Sequence, residues 1–107
     1  MKHTDIYLNS EFKPYVKLDP VGDLTMDDYD FTVEFYCFPN RKLKITKSEL
    51  IRKEEAGEVV YVACVNSKDI GTGELKCDVT RHIPDADFPD GMRTERITFN
   101  YNVSILK

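Results

Sequence analysis

Phe31, Val33, Phe35 and Cys37 alternate with Thr32, Glu34 and Tyr36, the period-two pattern of a strand with one buried face. Pro39-Asn40 ends that strand. The same alternation predicts a strand over residues 74–83, where Leu75, Cys77, Val79 and Ile83 share a face broken only by Arg81. Another covers residues 96–105, with Ile97, Phe99, Tyr101, Val103 and Ile105 on one face. Residues 41–47 place Leu43 and Ile45 opposite Lys42, Lys44 and Thr46; outward lysines are a common defence of a strand against edge-to-edge pairing. The run over residues 58–65 is rich in β-branched residues and apolar on both alternating sets, as expected of a strand covered on both faces.

Weaker signals fill the rest. Short strands are expected near residues 6–8 and 15–18, and residues 48–55 read as a helical turn or a short strand ended by Ala56-Gly57. Residues 66–73 have turn chemistry, with Ile70 expected to dip into the core. No segment supports a helix of three turns, so the crossover helices of a parallel βαβ fold are missing. The expected fold is all-β: a single-domain antiparallel β-sandwich over residues 1–107, immunoglobulin-like or jelly-roll-like, of about seven strands. Residues 1–30 form its less regular, acidic amino-terminal part.

Charge narrows the partners. The chain of 107 residues carries 15 Lys and Arg against 19 Asp and Glu, for a formal net charge of -4, which argues against nucleic acid, whose phosphate backbone is bound mainly by cations. The excess is concentrated in residues 1–30, while residues 41–47 are basic. Asp27, Asp28 and Asp30 on one side, and Lys42, Lys44 and Lys47 on the other, are therefore the candidate contact residues for self-association or a partner. The apolar run at residues 59–65 is far short of the roughly 20 residues a membrane helix needs, and no signal peptide is visible. The expectation is a soluble protein with no membrane partner, made in a reducing compartment. Cys37, Cys64 and Cys77 are an odd set without close pairing, and are expected as reduced, buried core residues.

Catalytic chemistry finds no foothold in the linear pattern. His3 and His82 are the only histidines, neither is spaced to activate a cysteine, and no nucleophile elbow, zinc, P-loop or dinucleotide motif is present. No catalytic residue, cofactor or resident metal is expected. The segment Ile83-Pro84-Asp85-Ala86-Asp87-Phe88-Pro89-Asp90-Gly91-Met92-Arg93 is the most distinctive. Asp85, Asp87 and Asp90 are carboxylates of the kind calcium prefers, but Pro89 and Asp90 stand where a calcium-binding EF-hand loop needs an oxygen ligand and a glycine. The competing reading is a fixed-shape loop in which the carboxylates bond local amides and Asp90-Gly91 turns the chain. Tyr29, Tyr36, Phe38 and Phe88 are possible stacking surfaces for a sugar, or simply core and rim aromatics.

Asp30-Phe31-Thr32-Val33-Glu34-Phe35-Tyr36, Asp69-Ile70-Gly71-Thr72-Gly73-Glu74-Leu75 and the residue 83–93 segment, taken in that order, resemble small prophage-encoded proteins of gut Bacteroides-type bacteria. In layout over residues 5–105 the chain is also similar to the amino-terminal β-sandwich of phage baseplate upper proteins and tail fibres. The resemblance implies a virion component that docks on a tail or baseplate, often in several copies. Since the chain stops at Lys107, directly after its last expected strand, an adaptor role is expected rather than host recognition. The leading expectation is thus a non-enzymatic structural or interaction domain whose partners are other tail or baseplate proteins or further copies of itself. The alternative is a module binding calcium or carbohydrate through the residue 85–90 loop.

Overall fold

The structure, a computed structural model, describes residues 3–37 and 42–107, with the side chain of Lys42 also outside the described set. The expected strand end at Pro39-Asn40, together with Phe38 and Arg41, lies outside the described residues. Ten strands follow in order: β1 (Thr4–Tyr7), β2 (Glu11–Phe12), β3 (Tyr15–Val16), β4 (Asp30–Tyr36), β5 (Lys42–Thr46), β6 (Ile51–Glu55), β7 (Glu58–Val62), β8 (Val65–Asn66), β9 (Gly73–Pro84) and β10 (Met92–Leu106). The only helical pieces among the described residues are three-residue 3-10 turns at Lys47–Glu49 and Ser67–Asp69. The fold is all-β and sandwich-like, as expected. Among the described residues the strands missed by the expected number are β2 and β8, of two residues each, too few to display a period, whereas β3 falls in the short strand expected near residues 15–18.

One sheet has five strands in the order β1-β10-β9-β4-β5; facing pieces have the orders β3-β7-β6 and β2-β8. Long β9 lies at the centre, with β4 on one side and β10 on the other. Val33 and Phe35 of β4 sit opposite Val79 and Cys77 of β9, and Ile97 and Phe99 of β10 sit opposite the same two residues. Phe31, Val33, Phe35, Cys77 and Val79 have no exposed surface. They join Val16, Leu18, Leu50, Tyr61, Ala63, Val65 and Ile70 from the facing elements in one core. Ile70 is fully buried, the anchor its position in the turn suggested. Burying a side chain of that size stabilises by about 1.5–3 kcal/mol.

Two expectations need correction. The sandwich is not antiparallel throughout, because β1 runs parallel to β10, pairing Thr4 with Val103 and Tyr7 with Leu106. Parallel neighbours need a long connection, and here the whole intervening domain supplies it. Secondly, Cys37 and Cys77 are buried but Cys64 is exposed. β7 ends at Val62, the Ala63 amide donates to Pro14 O at 2.9 Å, and pairing resumes at Val65. That break turns Cys64 outward while Ala63 and Val65 stay in the core.

Candidate functional site

The charged residues expected to face a partner are largely engaged within the molecule. Arg52 grips Asp27 with two hydrogen bonds of 2.8 Å, and the Tyr61 hydroxyl donates to Asp27 Oδ1 at 2.5 Å. Those bonds, Arg52's foremost, hold the Asp27 carboxyl down to about 2. Lys47 Nζ donates to the carbonyls of Met26 and Tyr29 at 2.7 and 2.8 Å, and lies 5.6 Å from the ring centroids of both Phe31 and Tyr61. Lys47 thus meets the main chain of the acidic segment, while the Asp27 carboxylate is paired with Arg52 of β6 rather than with a residue of the basic strand. Asp28 accepts from the Thr25 amide and hydroxyl, and Asp30 from the Phe31 amide. Lys44 stays exposed on β5, an edge strand of the large sheet.

The aspartate loop is a turn built from its own side chains. Asp85 Oδ1 accepts from the Asp87 amide at 3.0 Å, and Asp85 Oδ2 from Arg93 Nη1 at 2.6 Å. Asp90 Oδ1 accepts from the Met92 amide, and Gly91 takes a φ of 75°. Among the described residues no group of three or more carboxylate, imidazole or thiol side chains gathers as a metal site. As for the aromatic candidates, Tyr29 is buried, the Tyr36 hydroxyl donates to Asp78, and Phe88 is exposed. His3 Nε2 lies 2.9 Å from Ser104 Oγ and 3.2 Å from Asp5 Oδ1, and His82 Nδ1 lies 3.2 Å from Thr94 Oγ1.

The feature that periodicity did not reveal is the outer side of β10. Asp85 N donates to Gly91 O directly opposite it, in the register that continues Pro84 with Met92 and Ile83 with Arg93. Antiparallel pairs alternate between hydrogen-bonded and non-bonded, so Arg93, Glu95, Ile97 and Phe99 direct their main-chain groups at β9. Met92, Thr94, Arg96, Thr98 and Asn100 direct theirs outward. The bond from Leu8 N to Leu106 O agrees, since Leu106 belongs to the same outward set beyond the bulge between Asn100 and Ser104. On this outer side β1 covers only Val103 through Leu106. The Met92 amide is taken by Asp90, which leaves the main-chain groups of Thr94, Arg96, Thr98 and Asn100 without a protein partner among the described residues.

Beside this edge the core is open. Ile97, Phe99, Tyr101 and Val103 point inward but are only partly buried, whereas the β9 residues opposite Ile97 and Phe99 are fully covered. Phe99, Tyr101 and Val103 form one wall of a cleft of about 610 Å³, with Ile6, Phe12, Pro14 and Val16 among the other lining residues and Lys13 and Lys17 also lining it. Tyr101 spans the cleft floor, its hydroxyl donating to Tyr15 O at 2.9 Å, and burial pushes the pKa of that phenol upward. Among the described residues the lining is mostly apolar, with Lys13, Lys17, Tyr15 and Tyr101 as its ionisable groups. The alternation of residues 96–105 marked the inward row correctly; nothing in that alternation says whether a second strand lies alongside. In comparison with known proteins, the chain matches no family model, no curated protein and no solved structure.

Proposed function

We propose that this chain is a non-enzymatic structural or interaction domain that docks by strand addition along the outer side of β10, in the manner expected of an adaptor in a phage or prophage tail or baseplate. One observation carries the reading: the main-chain groups of Thr94, Arg96, Thr98 and Asn100 form an edge without a partner among the described residues, next to a partly covered apolar row. An added strand would answer both at once, its main chain giving affinity and its alternate side chains covering Ile97 and Phe99. The other end of the sheet contrasts with it. Edge strand β5 carries outward lysine, a device that discourages pairing, while the stretch from Thr94 to Asn100 contains neither lysine nor proline.

Amide hydrogen exchange tests the reading on the chain alone, diluted until it is monomeric, and then with the tail proteins encoded beside its gene or with itself at high concentration. Fast exchange at Thr94, Arg96, Thr98 and Asn100 when dilute, and protection of those amides on assembly, is the expected result. A strict monomer that binds none of those proteins, or an assembly that leaves the four amides unprotected, would overturn it.

A further inference from the structure

We infer that the strand added to β10 is β10 of a second copy of this chain, running antiparallel about a two-fold axis at Thr98. This inference rests on the docking reading above and names its partner. In a two-fold antiparallel pair the register is set by the residue on the axis, and the side chains of β10 discriminate between the choices. An axis at Glu95 would set two carboxylates against each other, and an axis at Arg96 two guanidinium groups; like charges directly opposed destabilise a ladder. An axis at Ile97 would put Glu95 against the partner's Phe99. An axis at Thr94 would run the shared ladder into the turn that precedes Met92.

With Thr98 on the axis, Ile97 of each copy lies opposite the partner's Phe99, a β-branched and aromatic pair of the kind that stabilises sheets. These are the inward residues left half-covered in one chain. Thr98 then exchanges main-chain bonds with the partner's Thr98, and Arg96 with the partner's Asn100. All three belong to the outward-directed set, so the ladder to β9 stays intact. Charge also agrees. Arg96 is 66% exposed, with only Asp78 nearby at 3.9 Å, and the Asn100 amide that it would face holds the Glu74 carboxylate at 3.2 Å. Each copy thus offers the exposed Arg96 guanidinium, only loosely held by Asp78, at one end of the segment and the Glu74 carboxylate at the other, where Lys76 stands across from Asn100 on β9. Between two β5 edges, by contrast, the exposed Lys44 side chains would meet like charge.

The test combines light scattering with position-specific crosslinking. The unmodified chain is expected to approach twice the 12.4 kDa of one copy as its concentration rises. Thr98→Pro, which removes an outward amide and no main-chain bond to β9, though it also loses the hydroxyl bond from Thr98 to Asp78 Oδ1 at 2.8 Å, is expected to raise the dissociation constant by roughly tenfold or more while the thermal transition remains cooperative. Should that variant fail to fold, Arg96→Glu is expected to weaken the dimer and adding Glu74→Arg to restore it, with the melting temperature of the dilute monomer measured alongside because Arg96 also meets Asp78 within its own chain. In a Cys64→Ser background, Thr98→Cys is expected to crosslink under mild oxidation, because hydrogen-bonded partners lie about 5.5 Å apart between Cα atoms, and Thr94→Cys is not. Crosslinking of Thr94→Cys as fast as Thr98→Cys overturns the register. A chain that stays monomeric while a neighbouring tail protein protects the β10 amides overturns self-pairing and leaves the docking function standing; monomer with no protection at all defeats both.

Discussion

Arg81 and Glu95 face each other directly across the β9–β10 ladder, with Arg81 Nη2 2.6 Å and Nε 2.8 Å from Glu95 Oε1. Arg81 is the residue that interrupts the apolar row of β9. Its side chain is 13% exposed, and its guanidinium carbon lies 5.8 Å from the Tyr29 ring centroid. The charge is tolerated on the inner face because a carboxylate answers it, and Arg93 Nε meets the second oxygen of the same carboxylate at 3.1 Å.

Breaking this pair from one side is therefore expected to be worse than removing it whole. Glu95→Ala leaves a mostly buried guanidinium without its partner and is expected to lower stability in urea denaturation by about 2 kcal/mol. Arg81→Leu combined with Glu95→Leu is expected to recover most of that loss. A double variant no more stable than Glu95→Ala would show that the pair's ionic character matters less than its packing.

Stability should fall at both extremes of pH. Asp27 titrates near 3.8 when unfolded but is held to about 2 in the fold, chiefly by Arg52 and then by Tyr61. Glu95 is likewise lowered, first by Arg81. Groups with depressed pKa stabilise fully above their unfolded values, and that stability is lost as pH falls through the folded ones. Melting temperatures measured downward from pH 5 should drop most steeply between about 4 and 2, and Asp27→Asn should flatten that slope. On the alkaline side Tyr61 is pushed up to about 12, by burial first and then by Asp27. Its contribution is present below pH 10 and is lost as pH rises through 12.

The cysteines should separate into two classes. Cys64 is exposed, while burial lifts the Cys37 thiol to about 11 and the Cys77 thiol to about 12. A thiol reagent at pH 8 is expected to label Cys64 at once in the folded protein and the other two only after denaturation, since the thiolate is the reactive form. Labelling followed by peptide mapping reads the order; early modification of Cys77 would contradict the buried placement.

Ala56 offers a stabilising substitution. Glu55 pairs with Glu58, so Ala56 and Gly57 form a two-residue hairpin loop with φ values of 52° and 80°, a geometry that favours asparagine or glycine in the first position. An alanine in the left-handed region is strained by roughly 1–2 kcal/mol. Ala56→Asn is expected to raise stability by about 1 kcal/mol, visible as a higher melting temperature without change in the spectrum of the fold.

Alternation along the chain determined which residues of β4, β9 and β10 face inward, and Phe31, Val33, Phe35, Leu75, Cys77 and Val79 are all found buried. It also marked Ile70 as an anchor and residues 85–91 as a self-bonded turn, because the chemistry of both is local. Tertiary structure decided everything that depends on neighbours. Period-two spacing tells which face a side chain takes, but not which strand lies alongside, so the parallel pairing of β1 and the bare outer side of β10 were invisible until the strands were placed. Charge behaved the same way: Asp27 and Lys47 read as surface contacts in the sequence, and folding brought Arg52, Tyr61 and two main-chain carbonyls to meet them first. What is left unanswered after folding is the edge at Thr98, where main-chain groups that every chain carries remain without a protein partner among the described residues.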